Sequence, residues 1–237
     1  MSEVRVGTSG WSYPEWVGRF YPNGTSTARM LDFYSRRFNA VEAHSTYRRL
    51  PTAAGVEHWC GQVAPEFRFS PKAHLSITHR RDLDGVEERV AAFVTAVAPL
   101  GARLGPILFA LPHQEPDFDR LDRILAGLRA TDLEVHAAFE LGPAWATPEI
   151  LDRLESAGAT LVQNDADRRL SQSLGIGPIL YLRLRRESYN RADLDTWAER
   201  LAKVRADGRD AYVFLKHDER ADGPRYARRL SGRLSQR

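Results

Sequence analysis

A chain of 237 residues with 43% hydrophobic and 27% charged side chains has the balance of a globular protein with a sizeable core. No apolar run approaches the roughly 20 residues that a membrane-spanning helix needs, and the opening MSEVRVGTSG lacks the basic-then-apolar order of a secretion signal. A net charge of +3 is too small to argue for a nucleic-acid partner by itself, and the lone cysteine, Cys60, rules out an internal disulfide and fits a reducing compartment, with the cytoplasm as the expected location.

The first strand-like run, Val4–Thr8, breaks into Gly-Thr-Ser-Gly, and Trp11, Tyr13 and Trp16 follow at once. Backbone N–H groups and two hydroxyls at that tip, with aromatic walls, mark it as part of a functional mouth. Ala40–Ala43 and Phe67–Ser70 are the second and third runs. The stretch from Arg80 to Leu100 then sets Val86, Val90, Phe93, Val94 and Val97 on one helical face, with Gly101 past its end. A fourth run, Ile107–Leu111, leads into a loop marked by Pro112 and Pro116. The fifth, Val135–Phe139, precedes Thr147 and Pro148, an N-cap and first helical residue whose helix Gly158 closes. Thr160–Gln163 and Ile179–Leu184 come next. Asn190 then caps a helix bearing Leu194, Trp197, Ala198, Leu201 and Val204, with Gly208 at its end. Ala211–Leu215 is the last strand-like run, and an arginine-rich helix from about Pro224 follows it.

Strand and helix signals that alternate in this way imply parallel strands joined by helical crossovers. Eight such alternations predict an α/β fold, a single (β/α)8 TIM barrel over residues 1–237. An open doubly wound sheet is the competing arrangement; the count and the early first strand favour closure. With no internal repeat, low-complexity tract or linker, one domain is expected.

In such a barrel the site is built from the C-terminal ends of the strands and the loops behind them. Applied strand by strand, that rule selects Thr8, Ser9 and Trp11; then Glu42, His44, Ser45 and Tyr47; then Ser70, Lys72 and His74, with His79 in the following loop. The later exits offer His113 and Gln114, Glu140, Asn164 and Asp165, Arg183 and Arg185, and finally Lys216, His217 and Asp218. Charges beside an apolar core need partners or a ligand.

Three chemistries suit this set. Glu42, Glu140 and Asp165 with His44 and His217 are donors for a divalent metal, although no HExxH or paired-cysteine spacing is present. Lys72 can act as a general acid/base or imine-forming nucleophile once desolvated. It is one of only three lysines, with Lys203 and Lys216, among 34 basic residues. Lys72, Arg183, Arg185 and Lys216 can also hold a phosphate or carboxylate. Trp11 is positioned for stacking on a sugar or base, and Trp16 for packing.

These motifs resemble the YecE-like family, also called domain of unknown function 72. The matching pieces are GTSGWSYPEW at Gly7–Trp16, FYP at Phe20–Pro22 and FNAVEAHSTYRRLP at Phe38–Pro51. They continue with APEFRFSPKAHLSITH ending at His79, GPILFALP at Gly105–Pro112, Glu140 with Trp145, Asp165, YLRLR at Tyr181–Arg185 and YVFLKH at Tyr212–His217. The resemblance implies a TIM barrel and supplies no activity. Its pattern falls on Glu42, Ser45, Thr46, Lys72, Thr78, His79, Glu140, Trp145, Asp165 and Arg183. This chain departs from the pattern in having His44 for asparagine, Tyr47-Arg48 for Phe-Tyr and Ala110 for glutamine. Leu141-Gly142-Pro143 stands in place of Arg-His, and Arg185-Arg186 in place of His-Gly. The mouth thereby loses amide and imidazole groups and gains cationic ones.

The expectation is an enzyme acting on a small polar, anionic or sugar-like ligand. Glu42, Lys72, His79, Glu140 and Asp165 are its catalytic candidates; Thr8, Ser9, Trp11, His44, Ser45, Arg183, Arg185 and Lys216 are its ligand-binding ones. A nucleic-acid-binding or metal-dependent nuclease-like barrel, on the strength of the arginine surplus, and a non-catalytic ligand-binding barrel with a degenerate site are the alternatives.

Overall fold

The strands are short and apolar and every ladder between them is parallel. The computed structural model describes residues 2–112, 115–145, 147–166 and 175–236. The strands are β1 Val4–Thr8, β2 Ala40–Ala43, β3 Arg68–Pro71, β4 Ile107–Ala110, β5 Ala137–Glu140, β6 Thr160–Leu161, β7 Gln163–Asn164, β8 Leu180–Leu184 and β9 Ala211–Leu215. Between and after them run α1 Thr27–Ser35, α2 Ala53–Cys60, α3 Leu75–Thr78, α4 Val86–Val97, α5 Phe118–Arg129, α6 Pro148–Ser156, α7 Arg191–Ala206 and α8 Asp222–Leu234. No helix among the described residues is long and apolar enough to cross a membrane.

The ladders fall into three sheets, ordered β1-β9-β8-β7, β2-β3 and β4-β5-β6. The α/β class and parallel pairing agree with the sequence, but the paired ladders do not form one closed ring. The interruptions have local causes. Between β1 and β2, side chains take the place of backbone bonds. The Tyr34 hydroxyl accepts from the Thr8 amide at 2.8 Å and donates to the Ala40 carbonyl at 3.1 Å, while Asn39 Oδ1 accepts from the Val6 amide at 2.8 Å. A single bridge, Ser9 with Glu42, follows at the end of these strands. Between β3 and β4, Pro71 has no N–H to donate, and only the bridges Phe69–Leu104 and Lys72–Leu108 remain. The sixth expected strand is split in two at Val162.

Two faces of these strands carry separate cores. Ala40, Leu108, Ala138, Val162, Ile179, Tyr181, Tyr212 and Phe214 form a smaller apolar cluster drawn from many strands. The larger cluster packs helices against the other face, through residues such as Phe93 and Val94 of α4 and Leu194 and Trp197 of α7. Side chains alternate along a strand. Glu42, Ala110, Glu140, Asn164 and Arg183, each two residues beyond a member of the smaller cluster, therefore lie on its face, toward the C-terminal ends.

The helix expected from Arg80 begins at Val86 instead, because Gly85 takes a left-handed φ of 65°. The expected Asn190 cap is present. Its side chain accepts from the Asp193 amide, and the Asp193 carboxylate accepts from the Asn190 amide, both at 2.9 Å. Substituting Asn190→Ala is expected to cost about 1 kcal/mol, a fall of roughly 2–4 °C in melting temperature for a chain of this size, read by thermal denaturation.

Candidate functional site

Glu42, the third residue of β2, is fully buried. Its Oε1 accepts from Ser9 Oγ at 2.8 Å, Arg183 Nη2 at 2.9 Å and Arg185 Nη2 at 3.2 Å, and lies 2.5 Å from His44 Nε2. Its Oε2 accepts from the Tyr181 hydroxyl at 2.8 Å. Burial pushes the carboxyl group up, but Arg183, Arg185 and the His44 hydrogen bond outweigh it and hold Glu42 well below the usual carboxylate range. Glu42, expected from the sequence as a catalytic residue, is held as an anion by these partners.

Arg183 lies at the centre. Its second fork nitrogen donates to Glu140, whose other oxygen accepts from Asn164 Nδ2 at 3.0 Å. Arg185, two residues along β8 and beyond it, also donates to Ser9 Oγ at 2.7 Å. Its backbone amide donates to Asp165 Oδ1 at 2.6 Å, and Asp165 Oδ2 accepts from the Tyr189 hydroxyl at 2.7 Å. Arg185 Nη1 is buried and has no hydrogen-bond partner among the described residues. Five of the expected site residues, Ser9, Glu42, Glu140, Arg183 and Arg185, thus form one bonded network, with His44 and Asp165 attached to it.

Lys72 follows β3 and is half-buried. Its ammonium sits 4.2 Å from the centre of the Tyr47 ring. No carboxylate among the described residues pairs with it. Burial lowers its pKa, and Arg183 and Arg185 lower it further, against the opposing pull of Glu42 and Glu140. The His79 ring meets the edge of Tyr47 at 5.6 Å and bonds Thr78 Oγ1 at 2.8 Å through Nδ1. Burial, Lys72 and Arg120 all lower the His79 pKa, which favours its neutral imidazole. His44, half-buried beside Glu42, is pushed down by desolvation as well.

Other candidates stand apart. Trp11 is only 7% exposed and packs edge-on against Trp59 and Phe69 at 5.4 and 6.2 Å, so the stacking wall expected of it is corrected to core packing. Thr8 is fully buried and its hydroxyl donates to the Gly10 carbonyl at 2.7 Å, which commits it to shaping the turn. Ser45 is exposed. Lys216 is tied to Glu187 at 2.5 Å. His217 stacks on Tyr13 at 3.8 Å and bonds Glu15 at 2.9 Å, away from Glu42. His113 and Gln114 lie outside the described residues.

The donor set does not suit a metal. Glu42 and Glu140 are bridged by a guanidinium, Asp165 is taken by an amide and a phenol, and His217 is elsewhere. No cluster of three or more His, Cys, Asp and Glu side chains among the described residues has the arrangement of a metal site.

The sequence matches the family described as "Protein of unknown function DUF72" over residues 5–237. The chain belongs to the DUF72 family. It is 33% identical over 109 residues to the UPF0759 protein YecE of Escherichia coli, matching 46% of this chain and 38% of that protein. To the UPF0759 protein YunF of Bacillus subtilis it is 29% identical over 132 residues, 53% of this chain and 45% of that protein. The matches thus span less than half the length of these curated relatives. The fold is similar to the crystal structure of a DUF72 family protein from Thermotoga maritima, with a TM-score of 0.81 and 23% identity over 98% of this chain and 99% of that one. A DUF72 family protein from Enterococcus faecalis gives 0.77 and 18%, covering 99% and 98%. At such identities the likeness is one of fold alone.

Tyr181 and Tyr189, which hold Glu42 and Asp165, were not expected. For Tyr181 the signal lay in YLRLR: with a period of two, Tyr181, Arg183 and Arg185 share one face. Tyr189 approaches Asp165 from a loop and left no such trace.

Proposed function

We propose that the strands close into one ring, a single-domain (β/α)8 barrel, and that its C-terminal mouth is the active site of an enzyme for a small oxygen-rich ligand, anionic or sugar-like. Support for the ring comes from the bridges Ser9–Glu42 and Lys72–Leu108, which link the three sheets in order, and from the single residue that separates β6 from β7. A cytoplasmic location rests on the single free cysteine, Cys60.

One observation carries the ligand class. In a network where Glu42, Glu140 and Asp165 are already engaged, among the described residues Arg185 Nη1 and Arg183 Nε are buried without hydrogen-bond partners, and no carboxylate pairs with Lys72 Nζ. Their complement is a molecule that presents oxygens: a carboxylate, a phosphate, a carbonyl or sugar hydroxyls. Lys72 is the group that moves a proton, because its ammonium is destabilised and Glu42 stays ionised. Arg183 and Glu42 hold the charge framework in which this happens.

The test is a thermal-shift screen of sugar phosphates, sugar acids and small carboxylates against the protein and its Lys72→Met variant. At a hundredfold excess over Kd a true ligand stabilises by about 2.7 kcal/mol, a rise of roughly 5–10 °C. The rise should disappear in Lys72→Met, together with any turnover of that compound. A ligand that stabilises both proteins equally would remove Lys72 from the site.

A further inference from the structure

We propose that the outer face shared by α1, α7 and α8 is a docking surface for the phosphodiester backbone of a nucleic-acid duplex. Its charge stands out against the rest of the chain. Residues 224–237 hold five arginines and no acidic residue, so with a net charge of +3 for the whole chain the remainder is net negative. Arg191 of α7 and Arg228, Arg229 and Arg233 of α8 line one groove between the two helices. Arg36 and Arg37, just past α1, and Arg205 of α7 line a second cavity, with Ser231 and Ser235 from the neighbouring stripe of α8. Burial, Arg228 and Arg36 lower the Arg37 pKa, so Arg228 joins the two sets into one field. Asp32 pairs with Arg36 and Asp195 is shared by Arg191 and Arg233, while Arg37, Arg205, Arg228 and Arg229 have no carboxylate partner among the described residues.

The length and chemistry of this strip select its occupant. From Arg191 to Arg205, α7 alone runs about 21 Å at roughly 1.5 Å per residue. That is longer than a small anion and is matched by about six base pairs of a duplex, whose strands carry a phosphate roughly every 3.4 Å. Arginine suits phosphate because its fork reaches two oxygens at once. A protein partner would need aromatic or apolar anchors, and a membrane would need apolar side chains to take in. The exposed large hydrophobic residues, Leu50 and Leu133, lie on none of α1, α7 and α8. Phe33 of α1 is covered by the Arg37 guanidinium, 3.3 Å from its ring centre, and Trp197 and Tyr226 are buried, which keeps these rings from stacking on the bases of a single strand. The second cavity also takes in Val4 and Val6 from the start of β1, and none of these arginines belongs to the Glu42 network at the mouth.

The test is fluorescence anisotropy of a labelled duplex of mixed sequence, as DNA and as RNA, titrated with the intact protein across a salt series. With the four uncommitted arginines on phosphates, affinity is expected to fall roughly a hundredfold between about 50 and 200 mM salt. Arg228→Glu combined with Arg229→Glu should weaken binding about tenfold or more and reduce the salt slope by about two. Arg81→Glu combined with Arg129→Glu makes the same change of charge at exposed positions after α3 and on α5, and should leave affinity within about twofold. Both double variants are checked for an unchanged melting temperature. The tighter of the two duplexes names the nucleic acid. Equal losses in the two double variants would mean attraction by net charge alone and would overturn the proposal, as would no binding to either duplex at the lowest salt. Vesicles of mixed phosphatidylserine and phosphatidylcholine are the competing probe, and tighter binding to them than to either duplex overturns it as well.

Discussion

Glu42→Ala is expected to lose about 3–5 kcal/mol of folding stability, because removing one partner of a buried ion pair leaves the other charge uncompensated. In a chain of this size that is a fall of roughly 10 °C in melting temperature. Four of the groups around the carboxylate, Ser9, His44, Arg183 and Arg185, meet a single oxygen, Oε1. Arg183 would retain Glu140, but Arg185 would lose its only ion-pair partner among the described residues. The effect has a pH signature. A carboxylate whose folded pKa lies well below its unfolded value contributes stability above the unfolded pKa, and loses it as pH falls through the folded one. Urea melts across an acid series should show wild type and variant far apart at neutral pH and converging below about pH 4. A gap that stayed constant down to strongly acid pH would show that the lost stability is packing and not charge.

Gly7→Ala is expected to be comparably damaging, by about 3 kcal/mol or more. A Cβ there would lie 2.0 Å from the Ala40 carbonyl oxygen and 2.8 Å from both the Ala40 carbonyl carbon and the Tyr34 hydroxyl. None of these atoms is the end of a mobile side chain with somewhere to go. Strands β1 and β2 must move apart, and the Tyr34 bridge between Thr8 and Ala40 must stretch. Gly61→Ala is the control. Its φ is −68° and its nearest neighbour is 3.5 Å from the added carbon, so a change within about 0.5 kcal/mol is expected. If thermal denaturation gave the two variants the same midpoint, the close approach of β1 to β2 would be wrong.

The strands were legible in the sequence because each is a short apolar run with a clear break, and β1, β2 and β9 coincide with their expected bounds. Closure was less legible, since Tyr34, Asn39 and Pro71 decide where ladders stop, and nothing in a hydrophobic pattern marks a side chain that replaces a backbone bond. Much of the site was also in view. A charge two residues after a buried apolar residue, as in Ala40-x-Glu42 and Tyr181-x-Arg183, must share its face. What the pattern could not give was who satisfies whom. Glu42 reads like a catalytic acid until Arg183 and Arg185 are found on it, and Trp11 reads like a binding surface until Trp59 and Phe69 cover it.

The pairing of β1 with β9 has a consequence for the newborn chain. Val4 registers with Ala211, and the bond from the Glu3 amide to Asp210 spans 207 positions. At roughly 5–20 residues per second, a ribosome needs on the order of 10–40 s to make what lies between. Throughout that interval the ladder edge of β1 has no partner, and a bare strand edge invites pairing with the wrong chain. Arg5 is the second of its five residues, a charge flanked by Val4 and Val6; it pairs with Glu3 and reaches Asp210 only when the last strand arrives. The residue that later ties the two ends together is thus, before then, the one that keeps the waiting strand from sticking to its neighbours.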